Sequence, residues 1–165
     1  MYVFRYCPDC GGRLDAPEEP VISQTCSSCG AVHYRNAKPC AGAIVVRDGR
    51  VLLGRRAVEP ARGCWDIPGG FLEPWEHPAD CAVREIAEET GLDVRLTRLL
   101  SVVMDTYQDR VYTLNLYYLA EVVGGVERPA DDLAELRWFE PGALPEELAF
   151  AHCQAVLQAW QACTD

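Results

Sequence analysis

The chain has 165 residues, 49% of them hydrophobic, and a formal net charge of −10 at pH 7. That length and apolar share suit one main domain with a real core plus a small appendage, and no apolar run reaches membrane-spanning length. Residues 1–37 carry three basic and four acidic side chains, which leaves 12 basic against 21 acidic for the remainder. A polyanionic partner is therefore disfavoured, because binding to nucleic acid rests on Lys and Arg at the phosphates. A small anionic substrate would need divalent cations to bridge it to so acidic a surface.

The N-terminus, Met1-Tyr2-Val3-Phe4-Arg5, does not read as a signal peptide. It runs into Cys7-Pro-Asp-Cys10 and then, after fifteen residues, Cys26-Ser-Ser-Cys29. Two CxxC pairs at that interval read as a four-cysteine zinc site. Gly11 and Gly30 follow the second cysteine of each pair and permit the tight turn that aims backbone N–H groups at the thiolates. Four thiolates close the tetrahedron, so the Zn²⁺ on Cys7, Cys10, Cys26 and Cys29 is expected to be structural. A redox dithiol or two disulfides are the rival readings; the segment lacks the strand–helix unit that a redox CxxC prefers. The other five cysteines, Cys40, Cys64, Cys81, Cys153 and Cys163, are scattered singly, as expected of thiols in a reducing cytoplasm.

Pro39 lies near the end of the ribbon, and the domain boundaries are set at 1–37 and 38–165. Ala43-Ile44-Val45-Val46, the turn signal Asp48-Gly49 and Val51-Leu52-Leu53 predict a hairpin. Pro60 to Gly63 interrupts as a loop. Pro78 suits a first helical turn and Gly91 the left-handed residue past a helix end, predicting a helix of about a dozen residues between them. Glu85, Glu88 and Glu89 then share one face, with Ala79, Ala82, Val83 and Ile86 on the adjoining buried stripe. Arg84 lies beside Glu88 at i,i+4. Leu99 to Met104 and Val111 to Val123 read as strands joined through Gln108-Asp109, the second buried on both faces for part of its length. Leu136 to Phe139 is a short strand, and a last helix runs from about Ala151 to Ala162.

Three carboxylates on one helix face repel each other, a cost that Mg²⁺ or Mn²⁺ among them would explain, since hard cations take oxygen ligands. A solvated acidic helix is the plainer alternative. From Gly70 to Leu92 the residues fit a pattern of G, five residues, E, seven residues and REUxEExGU without a mismatch, Ile86 and Leu92 filling the bulky places. In this the chain resembles the Nudix family. The resemblance implies an α/β fold, an α/β/α sandwich around a mixed sheet, here with a small N-terminal zinc ribbon. It implies a Mg²⁺ or Mn²⁺ site of the Gly69 carbonyl, Glu85, Glu88 and Glu89. Glu85 leads for water activation, with Arg84 and Glu76 in support. Asp131, Asp132 and Glu135 are candidates for a further acid from a later loop. Nudix boxes commonly carry glycine just before the second conserved glutamate; here Trp75 stands there, packed on its own prolines or free to close over a base or sugar.

The run Arg55-Arg56-Ala57-Val58-Glu59-Pro60, with Gly63 and Trp65 to Phe71, is similar to a ribbon-bearing Nudix group associated with ADP-ribose and flavin dinucleotide hydrolysis. Residues Leu99 to Asp105 do not match the downstream signature of the NADH pyrophosphatases. The expected activity is hydrolysis of a nucleoside diphosphate linked to another moiety. Arg55, Arg56 and Arg62 are candidates for the outer phosphates, Tyr107, Tyr112, Tyr117 and Trp65 for stacking on the base. Alternatives are hydrolysis of an oxidised nucleoside triphosphate, and a nucleotide sensor or nucleic-acid-binding regulator that does not hydrolyse. The near-neutral ribbon argues against nucleic acid. The ribbon is also a candidate homodimer contact, though no residue pattern requires it.

Overall fold

The structure, a computed structural model, describes residues 4–15, 22–108 and 111–163. Met1 to Val3 and Asp109, named above, lie outside these residues. The chain forms two compact units, Met1–Lys38 with Thr106–Thr113, and Pro39–Asp105 with Leu114–Asp165.

In the first unit, β1 (Ser23–Thr25) and β2 (Val32–Tyr34) pair antiparallel, with Gln24 opposite His33. The two CxxC turns have the same backbone. Cys7 N–H donates to Gly12 O at 2.7 Å and Gly11 N–H to Cys7 O at 2.9 Å; Cys26 N–H donates to Ala31 O and Gly30 N–H to Cys26 O, both at 2.8 Å. Gly11 at φ 71° and Gly30 at φ 77° are left-handed, which explains the glycine after each pair. Cys7, Leu14 and Cys26 make a small core with Phe4 and Ala31.

The second unit is built on a seven-stranded sheet. Its strands are β3 (Lys38–Arg47), β4 (Arg50–Arg56), β5 (Trp65–Asp66), β6 (Gly69–Phe71), β7 (Leu92–Tyr107), β8 (Val111–Gly125) and β9 (Leu133–Phe139). The main order is β5-β4-β3-β8-β7, with β6 on β3 and β9 on β4. The ladders β3–β4, β3–β6, β4–β5 and β4–β9 are antiparallel, and a parallel bridge joins Trp65 to Leu148. Asp48 at φ 54° and Gly49 at φ 74° make the β3–β4 turn, both left-handed as a tight hairpin demands.

Strand alternation sorts two apolar layers. Ile44, Val51 and Leu53 face Cys153, Val156, Leu157 and Trp160 of α2 (Ala151–Gln161). Their neighbours Ala43, Val45 and Leu52 face Ile86 of α1 (Pro78–Thr90). A helix thus covers each face of the sheet, the expected sandwich. In α1, Pro78 opens the helix, the His77 side chain accepts from Ala79 N–H, and Gly91 closes it at φ 69°. Its buried stripe corrects one expectation. It runs through Cys81, Ala82, Ile86, Glu89 and Thr90, while Val83 is turned outward and 37% exposed. In β8 the buried residues alternate, Thr113, Asn115 and Tyr117, so one face is sealed and the other is half-covered there. Among the described residues no helix is long and apolar enough to cross a membrane.

Candidate active site

The box helix presents its carboxylates to the Gly69–Gly70 backbone. Glu89, only 6% exposed, sits on the core stripe, and its Oε2 accepts Gly69 N–H at 2.9 Å. The Glu85 carboxylate lies against Gly70, where an added Cβ would stand 2.5 Å from its Oε1. A Cβ on Gly69, at φ 155°, would meet Gly42 Cα at 2.6 Å and Ala41 O at 2.7 Å. Both glycines are therefore fixed by close approach, Gly69 by β3 and Gly70 by the carboxylate. Glu88 lies on the rim with its side chain 52% exposed.

Arg84 ties the cluster together. Its Nε and Nη2 fork onto Glu76 at 2.8 and 2.9 Å, its Nη1 donates to Glu85 at 2.7 Å and Glu88 at 2.9 Å, and Nη2 also reaches Phe71 O. Glu76 in turn accepts Glu73 N–H at 2.9 Å. The Arg84 fork and the Glu73 amide hold the Glu76 carboxyl down at about 2. The other two carboxylates shift the opposite way. Burial raises Glu85 against the pull of Arg84. Burial, then the like charges of Asp66, Glu85 and Asp132, push Glu89 up to about 9 in spite of the Gly69 amide. A pocket this acidic holds its protons until a cation supplies countercharge. Its hard oxygen donors suit Mg²⁺ or Mn²⁺.

The chain after β8 brings up further acids. Val126, Arg128 and Ala130 N–H donate to the carbonyls of Gly91, Thr90 and Glu89, each at 2.9 Å. These pair the orphan carbonyls at the α1 C-terminus and carry Asp131 and Asp132 to the cluster. Asp131 adds like-charge repulsion on Glu85, and Asp132 does so on Glu89. Asp132 also faces Arg56 at 3.9 Å, and Glu135 turns to Arg137 at 2.6 Å and Arg55 at 3.6 Å. Asp131 has no ion pair among the described residues, which singles it out of the three.

The arginines and aromatics named above part company. Arg56 is buried, bonded to Asp66 at 3.1 Å and to Pro60 O at 2.8 Å, so it braces the loop instead of facing a phosphate. Arg55 donates to Gly63 O at 2.8 Å with its side chain 48% exposed, and Arg62 is exposed beside Glu59. Trp65 is buried edge-on against Phe139, and Tyr117 is buried too, so both are core. Tyr107 ends β7 and Tyr112 lies at the start of β8, Tyr112 exposed. Trp75 stands wholly in solvent at φ 71°, not packed on its prolines. That left-handed backbone is the reason a glycine is usual there.

One polar cluster has no forerunner in the sequence reading. Asp105 Oδ2 accepts both His152 N–H at 3.1 Å and His152 Nδ1 at 2.6 Å, and His152 Nε2 meets Tyr117 OH at 2.7 Å. Asp105 thereby caps α2, whose own N-cap, Phe150, has no side-chain bond. Cys153, next on the helix, donates to Asp66 Oδ1 at 3.3 Å. Residues this far apart in sequence carry no local pattern.

The cysteine tetrad is assembled as expected. Cys7, Cys10, Cys26 and Cys29 have their sulfurs within 4.8 Å of one another. The Cys7–Cys29 and Cys10–Cys26 separations of 3.7 Å match the edge of roughly 3.8 Å that a tetrahedron with zinc–sulfur bonds of about 2.3 Å requires. His33, outside the four-cysteine expectation, places its Nε2 3.1 Å from Cys7 Sγ; its position four residues after Cys29 is the local signal of that proximity.

The chain is similar to known proteins. A NAD-capped RNA hydrolase NudC of Vibrio atlanticus is 32% identical over 143 residues, 86% of this chain and 51% of that protein. An ADP-ribose pyrophosphatase of Methanocaldococcus jannaschii is 37% identical over 110 residues, 66% of this chain and 64% of that protein. The chain thus spans about half to two thirds of the length of these relatives. The crystal structure of a NUDIX hydrolase from Nitrosomonas europaea superposes with a TM-score of 0.82 at 28% identity, covering 96% of this chain and 91% of that one. The family model of the NUDIX domain matches residues 37–160, and the chain belongs to the NUDIX domain family.

Proposed function

We propose that this chain hydrolyses the pyrophosphate of a nucleoside diphosphate linked to a second moiety, as in ADP-ribose or a flavin dinucleotide, releasing a nucleoside monophosphate and a phosphorylated partner. The observation that carries the reading is the convergence of Glu85 and Glu89 on the Gly69–Gly70 backbone, with Arg84 bracing both Glu85 and Glu88. The Gly69 carbonyl, Glu85, Glu88 and Glu89 would hold Mg²⁺ or Mn²⁺. When bound, such cations supply charge neutralisation at the phosphates and activation of water for attack at phosphorus. Glu85 accepts the proton of the attacking water, and Asp131 is the second acid placed to do so. Arg84 and Glu76 keep Glu85 in its rotamer. Arg55 and Arg62 are the exposed cations available to outer phosphates, and Trp75 is the exposed ring available to a base. Glu135, held between Arg55 and Arg137, would orient Arg55.

The tetrad would hold Zn²⁺ as a closed structural site within a ribbon of residues 1–37, leaving 38–165 as the hydrolase domain. The nine free cysteines fit a reducing cytoplasm. The relatives' names put ADP-ribose and NAD-capped RNA on the substrate panel, beside flavin dinucleotide and oxidised triphosphates. With Mg²⁺ or Mn²⁺, ADP-ribose should yield AMP and ribose 5-phosphate, identified by mass. Pyrophosphate from triphosphates alone would favour the triphosphate alternative. An electrophoretic shift of nucleic acid without turnover of any compound would favour a regulator.

A further inference from the structure

We infer that His33 is an outer donor to the ribbon's metal, its Nε2–H hydrogen-bonded to the Cys7 thiolate and restraining loss of a bound Zn²⁺. This rests on the reading of the tetrad as a zinc site. His33 occupies the centre of β2, opposite Gln24 in the register. Its ring meets that of Phe4 at 5.8 Å and 57°. Phe4 is itself fixed to the buried Gln24, which accepts Phe4 N–H at 3.0 Å and donates to Phe4 O at 3.1 Å and Asp15 O at 3.3 Å. The imidazole is thus held by packing before any metal arrives.

The distances distinguish a donor from a fifth ligand. Two groups sharing one zinc, a nitrogen at about 2.0 Å and a sulfur at about 2.3 Å, stand roughly 3.5 Å apart. His33 Nε2 is nearer to Cys7 Sγ, at 3.1 Å. His33 also groups with Cys7 and Asp9, and not with the other three cysteines. A thiolate has no proton to give, so the bond fixes the proton on Nε2. Four thiolates on one divalent ion leave a net charge of −2, and Cys7 and Cys26 are the buried members that must bear their share without water. His33 supplies a side-chain donor to Cys7 at 3.1 Å. Cys10 and Cys29 are exposed and have solvent in that place. Groups that hydrogen-bond to metal ligands commonly control how firmly the metal is held.

The test follows zinc transfer from the full chain to a coloured chelator, with Co²⁺-substituted protein read by absorption. His33→Phe keeps a ring against Phe4 and removes the donor; His33→Gln keeps an N–H. We expect zinc to leave His33→Phe about 10- to 100-fold faster than wild type, with His33→Gln between them and a four-sulfur cobalt spectrum in all three. Release from His33→Phe at the wild-type rate overturns the inference. So does a three-sulfur, one-nitrogen spectrum in wild type, which would make His33 a ligand. Should His33→Phe fail to fold, the Gln variant decides alone: zinc lost from it as fast as from a Cys7→Ser control counts against a donor role. Wild-type protein purified under reduction without zinc would remove the zinc reading itself, an outcome distinct from the others.

Discussion

The chain carries two clusters of side chains of the kinds that hold metal ions, and they are built on opposite plans. The cysteine tetrad hangs on two copies of one backbone turn, residues 7–12 and 26–31, and its four sulfurs lie within 4.8 Å of one another. The carboxylate cluster draws on one helix, one glycine pair and one later loop, and it is held by a side chain, Arg84. The first plan would close on a metal and leave nothing for a substrate. The second leaves charge unsatisfied, and unsatisfied charge is what can recruit a cation together with a phosphoanhydride.

The sharpest way to break the open cluster is at its deepest carboxylates. Glu85→Gln should lower kcat by about 10²- to 10⁴-fold, the range for loss of a general base. Glu89→Gln should match it while retaining its bond to Gly69 N–H through the amide oxygen. Unchanged melting temperatures beside lost turnover are the expected pair of results; wild-type rates in both variants would sink the assignment. A smaller loss is predicted for Arg84→Lys. An ammonium cannot fork onto Glu76 and reach Glu85 and Glu88 at once, so activity should fall about 10- to 100-fold, as for other groups that orient ligands.

These two predictions rest on residues that the sequence made legible, and others were not. The box helix could be read because its spacing, Pro78 and Gly91 are local signals. Glu89 is legible as a ligand candidate but not as a core residue, since periodicity does not say how far the buried stripe turns. Arg56 reads as a phosphate partner from its neighbours alone; its bond to Asp66, ten residues on, is tertiary. Preferring Asp131 to Asp132 and Glu135 depends on the ion pairs that occupy those two, with Arg56 and with Arg55 and Arg137, and such pairs leave no trace in local spacing. The union of Asp105, Tyr117 and His152 is purely tertiary. In the ribbon, by contrast, the plan was written almost entirely in the CxxCG repeats.

The pH response should separate the two plans further. Burial and like charges raise Glu89 to about 9 from its ordinary 4.5, so between those values the folded state binds a proton that the unfolded chain has released. Stability of the cation-free protein therefore falls as pH rises through that window. Its melting temperature should decline with pH, Mn²⁺ should restore it, and Glu89→Gln should flatten the slope. Apparent cation affinity should climb over the same range, by at most about tenfold per pH unit if one proton is displaced. An affinity independent of pH would mean that Glu89 is ionised before the cation arrives.

The smallest effect is expected at Trp75. A non-glycine residue in the left-handed region costs roughly 1–2 kcal/mol, and glycine gives back about 0.5–1 kcal/mol through the freedom of the unfolded chain. Trp75→Gly should thus stabilise the fold by about 0–1.5 kcal/mol by denaturant midpoint, since the exposed indole has no buried packing to lose. A fully exposed ring kept in a strained backbone, on a loop pinned by Glu76 and Arg84, is the form a contact for a planar ligand would take. If the indole stacks on the substrate, the same variant raises KM several-fold with little change in kcat, because stacking on a remote base stabilises ground and transition states alike. An unchanged KM in a more stable protein would leave Trp75 as a surface residue whose strain serves no binding.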